Sequence, residues 1–333
     1  MKGLLRRTIE FVPRWLRWVL LAAGALVFLL LIWGVAIEPR LIDCREETAL
    51  VPNLPRSWEG KRVALIADFQ VGMWLGNEET VTRIVTRIVR ERPAAVLFAG
   101  DFVYKPTDED EPGEIEREDT HDFMTEVNRS VALLHPLSVA GIPVYAVLGN
   151  HDYGMNHPSS VKNKQIAAAL RQALGKAGVR LLENTSLPLP TFLESDSQPR
   201  HPGNEPNLYL VGLGSRYAGN AKPEAALASL PKDSPRIVLM HNPDSFPEFP
   251  AQTAALALAG HTHGGQIRIP FTESWSWMAL ISEEKVHADG WIHGFGQTGN
   301  RLYINRGIGF SSFPVRINCR PELTLFTLRR ENR

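Results

Sequence analysis

The chain has 333 residues, 44% hydrophobic and 22% charged, enough for one large globular domain or two small ones. Lys plus Arg and Asp plus Glu each number 36, so formal net charge is zero and the strong positive field of a nucleic-acid binder is excluded. Two cysteines, Cys44 and Cys319, are too few for a disulfide framework or a cysteine-built zinc site. They leave two readings open, a single bridge between the ends of the domain or two unrelated buried thiols.

Trp18 to Ile37 carries no charge and has the length of about 20 residues that a helix needs to cross the hydrocarbon core. Lys2, Arg6, Arg7, Arg14 and Arg17 precede it, and a mixed flank of Glu38, Arg40, Asp43, Arg45, Glu46 and Glu47 follows. That bias points to the N-terminus inside and the remainder outside. A cleaved signal peptide is the rival, with Gly34-Val35-Ala36 as a cleavage site and Arg6-Arg7 as a twin-arginine pair. The apolar run exceeds the roughly 7–15 residues of a signal core, which favours an uncleaved anchor. The organisation read from this is a basic flank (1–17), a transmembrane anchor (18–37), a linker (38–60) and one domain (61–330). It corresponds to a single-pass protein of the cell inner membrane with an extracytoplasmic domain.

The linker leaves room for an edge strand. Residues 62–68 (RVALIAD) then form an apolar run, and 77–92 place Val81, Ile84, Val85 and Ile88 on one helical face, with Asn77 as N-cap and Glu78 and Glu79 in the first turn. Residues 94–101 are strand-like, 107–122 are an acidic solvated loop, 123–135 are helical, 143–152 are strand-like and 164–178 are helical, followed by 179–185. Short apolar or alternating runs at 207–215, 236–244, 254–265, 301–309 and 322–328 make the second half strand-rich. Helices packed around two sheets in one continuous α/β domain follow from this order.

Five of these runs end in groups able to bind metal: Asp68, Asp101, Asn150 with His151 and Asp152 beyond it, His241, and His261 with His263. Singly, each has a plain structural explanation as a turn cap or a hydrogen-bonded core residue. Together they lie where α/β folds bind ligands, beyond the carboxyl ends of strands. Gly100, Gly149, Gly260, Gly264 and Gly265 flank them and permit close backbone approach. Hard oxygens mixed with imidazoles suit a pair of divalent ions such as Mn²⁺, Fe or Zn²⁺, a device for hydrolysing phosphate esters, with Asp101 as the natural shared carboxylate.

Asp68-x-Gln70, Gly100-Asp101, Gly149-Asn150-His151-Asp152, His241 in HNPD and Gly260-His261-Thr262-His263 occur in the order of the calcineurin-like metallophosphoesterase motifs. The chain from about 60 to 328 resembles that family, most closely its membrane-associated bacterial branch with HNPD and GHTHGGQ. The resemblance implies a four-layer α/β/β/α sandwich preceded by one transmembrane helix. It implies one metal on Asp68, Asp101, His263 and the group at 70, another on Asp101, Asn150, His241 and His261, and a bridging hydroxide as nucleophile. His151 matches the histidine that stabilises the transition state or protonates the leaving oxygen, with Asp152 orienting it.

Where the family has Asp-x-His, this chain has Gln70. Three readings follow: ligation through the amide oxygen with a shift towards Mn²⁺ or Mg²⁺, contact through water, or a largely empty first site. Trp275, Trp277, Met278, Leu280 and Ile281 follow the HTHGGQ run, either as core packing or as an apolar lip against a bilayer or lipid tail. The expected partner is a phosphoester substrate (a phosphodiester, monoester or pyrophosphate), with a membrane lipid as the sharper case and no nucleic acid. Two alternatives remain, a phosphodiesterase or nucleotidase for soluble substrates tethered to the membrane, and a metal-binding scaffold impaired at position 70.

Overall fold

The computed structural model describes residues 13–73, 75–104, 117–190, 206–231, 233–269, 276, 288–311 and 313–331, with backbone only over 117–122. The basic residues before 13, the acidic segment 107–122 apart from that backbone, and the apolar lip read around Trp275 and Trp277 lie outside the described residues.

In chain order the helices are Arg14–Ile32 (α1), Glu78–Glu91 (α2), Arg117–Val139 (α3), Lys164–Lys176 (α4) and Pro223–Leu227 (α5). The strands are Asp43–Pro52 (β1), Arg62–Ile66 (β2), Ala95–Phe98 (β3), Val144–Ala146 (β4), Arg180–Leu181 (β5) and Thr185–Pro188 (β6). They continue with Tyr209–Gly212 (β7), Arg236–Leu239 (β8), Ala257–Ala259 (β9), Gly290–Ile292 (β10), Leu302–Ile304 (β11) and Glu322–Glu331 (β12). One sheet has the order β1-β12-β2-β3-β4-β5 and the other β10-β11-β9-β8-β7-β6. β2 to β5 run parallel, as do β7, β8, β9 and β11, so each set sends its carboxyl ends to one edge.

Strand alternation builds the layers. Val63 and Leu65 of β2 enter the seam between the sheets with Leu210, Ile237, Leu239, Leu258 and Tyr303. Their neighbours Ala64 and Ile66 face the other way, against Ile84, Ile88, Leu134 and Leu170 of the helices. Strands buried on both faces read as continuous apolar runs, which is why 62–66 shows no alternation in its hydropathy. The outer face of the second sheet (Val211, Val238, Met240) packs on Phe246, Phe249 and Ala226, a thin fourth layer made by α5 and the turn Pro243–Glu248. The result is an α/β/β/α sandwich.

The edge strand that 38–60 left room for is β1, which pairs with β12 along all ten of its residues. Other elements differ from their sequence reading. The segment 179–185 divides between the sheets, β5 closing the first and β6 opening the second beside β7. Asn77 makes no cap hydrogen bond; its Nδ2 donates instead to the carbonyl of Phe69. Both cysteines are free, with Cys319 buried and Cys44 exposed. Helix α1 continues through turns at Trp33–Ile37 and Glu38–Arg40, and among the described residues it is the one helix long and apolar enough to cross a membrane, with mean hydropathy 2.7.

Because Leu65 is fully buried between the sheets, Leu65→Ala leaves a cavity that neither rigid sheet can close. The expected loss is about 2–5 kcal/mol of unfolding free energy, read in urea melts beside a surface control such as exposed Arg129→Ala.

Candidate metal centre

Each candidate side chain leaves a strand end within a few residues: Asp68 after β2, Asp101 after β3, Asn150 after β4, His241 after β8 and His261 after β9. The chain has to turn sharply there. Asp68, Gln70, Asp101, His261 and His263 all have positive φ, between 48° and 76°. For residues with a Cβ this conformation costs on the order of 1–3 kcal/mol each and clusters at functional sites. Backbones also approach closely. A Cβ on Gly100 would lie 2.7 Å from the Gly149 nitrogen and 2.8 Å from His241 Nδ1, so only glycine fits.

The first group converges on His241. Its Nδ1 donates to the Ala99 carbonyl at 2.7 Å, so in the neutral ring Nε2 carries a lone pair. That lone pair faces Asn150 Oδ1 at 3.0 Å, Asp101 Oδ2 at 3.2 Å and His261 Nδ1 at 3.1 Å. Asn150 Nδ2 donates to the Met155 carbonyl, which fixes its oxygen inward. Buried acceptors this close require a cation between them, either a proton or a metal. Asp101, His241 and His261 form one cluster with ligand-atom spacing suited to an ion.

Asp68, Asp101 and His263 form a second such cluster, sharing Asp101 with the first. His263 Nε2 is 3.7 Å from Asp68 Oδ1. Gln70 Nε2 donates to Asp101 Oδ2 at 2.9 Å. Among the described residues, Gln70 Oε1 and His263 Nδ1 are buried without a hydrogen-bond partner. Exchanging the ends of the Gln70 amide aims its oxygen at the Asp101 carboxylate, an arrangement that only a cation between them stabilises. The donor sets thus fit two divalent ions.

Burial opposes every charge here, and neighbours decide which groups keep one. His241 is penalised by burial, yet Asp101 and then Asp68 override this and push it up to about 9. Asp101, also penalised by burial, is held below the usual carboxylate range by His241 and His151. Burial pushes Asp68 up to about 8, with His241 opposing and Asp101 reinforcing the shift. Burial and the charge on His241 drive His261 down to about 3, and burial with Arg316 drives His263 well down. Positive charge therefore collects at His241 Nε2, where a divalent ion would compete with the proton.

His151 packs beside this cluster, its backbone N–H donating to Asp101 Oδ1 at 3.0 Å and its ring stacked on Tyr104. Asp152 does not orient it. The Asp152 carboxylate accepts from the backbone amides of Asp101, Phe102 and Gly149 at 2.8–2.9 Å, tying the β3 and β4 ends together. The group facing His151 Nδ1 is the Tyr104 carbonyl, at 3.2 Å.

Sequence reasoning missed the loop after β11. Gly309 N donates to the Asp68 carbonyl at 2.6 Å, and a Cβ on Gly307 would lie 2.7 Å from Asp68 Oδ2. The signal was present as Gly-x-Gly directly after a strand run, the same glycine flanking seen at the other ends. Arg316, fully buried, left no such signal.

Residues 61–265 match the profile of the calcineurin-like phosphoesterase family. The Escherichia coli phosphodiesterase YaeI is 30% identical over 240 residues, 72% of this chain and 72% of that protein. The Bacillus subtilis metallophosphoesterase YkuE is 26% identical over 299 residues, 89% and 88% of the two chains. The Chlamydia trachomatis UDP-2,3-diacylglucosamine pyrophosphatase LpxG is 24% identical over 324 residues, 87% of this chain and 89% of its own.

Asp152→Ala strips three buried amides of their acceptor, each worth about 1–3 kcal/mol. The thermal midpoint should drop sharply, and Asp152→Asn, which keeps one acceptor oxygen, should drop it less. Were Asp152 acting through His151, neither variant would move the melt and only turnover would suffer.

Proposed function

This chain belongs to the calcineurin-like phosphoesterase family, a hydrolase family acting on phosphoester bonds, and on that premise we propose that it cleaves a lipid-linked phosphodiester or pyrophosphate at a dinuclear metal site. The observation carrying this reading is the pair of buried ligand clusters that share Asp101. Asp101, Asn150, His241 and His261 would hold one ion; Asp68, Asp101, His263 and Gln70 would hold the other. When bound, a pair of divalent ions would supply an acidified water for attack at phosphorus and charge neutralisation at the phosphoryl oxygens. The oxygen-rich set, with an amide at position 70, favours Mn²⁺ over softer ions.

The chain's own groups supply the rest. His151, its Nδ1 committed to the Tyr104 carbonyl, has Nε2 left to steady the phosphoryl group and to hand a proton to the leaving oxygen. Asp152 keeps the β3 and β4 loops in register so that Asp101 and Asn150 present their oxygens together. Two observations support a lipid-borne substrate in the inner membrane: the exposed apolar helix α1, and a relative whose name specifies a diacylated sugar-nucleotide pyrophosphate.

Metal content and hydrolysis of bis-p-nitrophenyl phosphate by the full chain in nanodiscs test this reading. Wild type should bind about two Mn²⁺ and turn over, while Asp101→Ala loses both ions and falls on the order of a thousandfold, the scale of several kcal/mol of charge stabilisation. Gln70→His should keep turnover and tighten metal binding. Inert wild type revived by Gln70→His would instead mark a scaffold disabled at that position. Because the His241 proton must leave, Mn²⁺ binding at pH 7 should release it. Apparent affinity should rise with pH and level off near 9, measured calorimetrically in buffers of different ionisation heat.

A further inference from the structure

The apolar helix does not pass into a free tether. Side chains of α1 stay exposed through Ile32, and its 19 residues span about 28 Å, close to the hydrocarbon thickness. Immediately beyond, Gly34, Glu38 and Pro39 are buried. The Gly34 carbonyl accepts from Arg316 N at 2.9 Å, and a Cβ there would lie 2.8 Å from Ile317 Cγ1. The Glu38 carboxylate, 3% exposed, accepts from Cys319 N and from Trp33 Nε1. Thr80 donates to the Pro39 carbonyl at 3.1 Å and Arg83 to the Arg40 carbonyl at 2.8 Å, tying the segment to α2 as well. Burying a carboxylate is costly unless its geometry is fixed by donors, and a swivelling tether would leave Glu38 in water.

One residue connects this seat to the metal cluster. Arg316 binds Gly34 through its backbone, while its buried guanidinium donates to the carbonyls of Gly309, Arg306, Cys319 and His263. Gly309 in turn holds Asp68. Arg268 N donates to the Ile317 carbonyl at 2.9 Å, which places half-exposed Ile269 on the same wall. The Asp68 and His263 side of the cluster therefore stands one arginine side chain away from the end of the spanning helix.

We propose that residues 33–40 are a rigid strut that fixes the metal cluster at the bilayer surface, so that the substrate is a phosphoester whose phosphorus sits in the headgroup layer of the same membrane. Gly34, Glu38 and Arg316 are positioning residues for this arrangement. The inference rests on the phosphoesterase reading for its chemistry, but its geometry stands on the contacts above. A diffusible substrate gains nothing from a fixed orientation. A lipid-borne phosphorus lies at one depth, and holding the site at that depth removes an orientational search from each encounter.

The test inserts twelve Gly/Ser residues after Ile32 in the full chain, which leaves the contacts of 33–40 with the domain intact, cuts the backbone bonds from Trp33 back to Leu29 and Leu30, and frees the domain from the membrane helix. In phosphatidylcholine/phosphatidylglycerol nanodiscs with Cys44→Ser, a spin label at Ile269→Cys should report the depth of the interface. A label at Val139→Cys, on the edge away from the site, should report water. The insertion should move the 269 label into water. It should cut turnover of a nitrophenyl ester of dioleoyl phosphatidic acid in the disc at least tenfold, with bis-p-nitrophenyl phosphate turnover held within twofold. Glu38→Ala, which unseats the strut without lengthening it, should shift the label in the same direction. A 269 label in water from the outset, or one that the insertion does not move, overturns the strut. Equal effects on both esters, or none on the lipid ester, overturn the lipid-borne substrate. If wild type cleaves neither ester, the phosphoesterase reading fails, and the label depths still decide the strut.

Discussion

Asp101 is the constraint on which the rest of the site depends. Its carboxylate is fully buried and takes His241 Nε2, the His151 amide and the Gln70 side chain at once. Bringing groups from three strand ends and a second sheet onto one carboxylate forces positive φ at Asp101 and at four other candidate ligands. That strain, on the order of 1–3 kcal/mol per residue, persists only because the strands behind it are locked. β2, β3 and β8 are buried along nearly their whole length, between the inter-sheet seam and an outer layer. The two sheets are thus the rigid backing that keeps five strained residues, in the turns after β2, β3 and β9, pointing at one volume.

Much of this was legible in the sequence because the relevant signals are local. An apolar run ending on Asp or His states both the strand and what stands at its end, and 62–68, 94–101, 236–241 and 254–263 each did so, two of them with a glycine beside the polar group. The helix over 77–92 declared its buried face through Val81, Ile84, Val85 and Ile88, all of which are buried. What escaped depends on partners far away in the chain. Asn77 looks like a cap, but its Nδ2 donates to the Phe69 carbonyl eight residues earlier and its oxygen makes no cap hydrogen bond. Asp152 looks like an orienting carboxylate because it adjoins His151, yet three amides from two loops satisfy it first. Arg316 lies in an unremarkable stretch, and only the fold shows that its donors meet carbonyls from four residues.

The cluster is also asymmetric in what supports it. Asn150, His241 and His261 are held by the sandwich itself, through Met155, Ala99 and the β9 end. Asp68, which the Gly100 carbonyl and the His261 amide also hold, and His263 have further support from Gly309 and from Arg316, whose own backbone rests on Gly34 just past the apolar helix. Gln70 belongs to this second half, with its Cβ and the Phe69 carbonyl packed under Gly309. An amide there is a weaker ligand than an imidazole, so its contribution depends more on how well its neighbours are placed. Gln70, read from the sequence as standing where an imidazole is expected, therefore falls on the side that Arg316 braces, and the side built by the sheets brings Asn150, His241 and His261 together. Under the proposed strut, ligand strength and membrane attachment would become a single problem in this chain: the segment that seats Glu38 would also brace, through Arg316, the half of the cluster that contains Gln70.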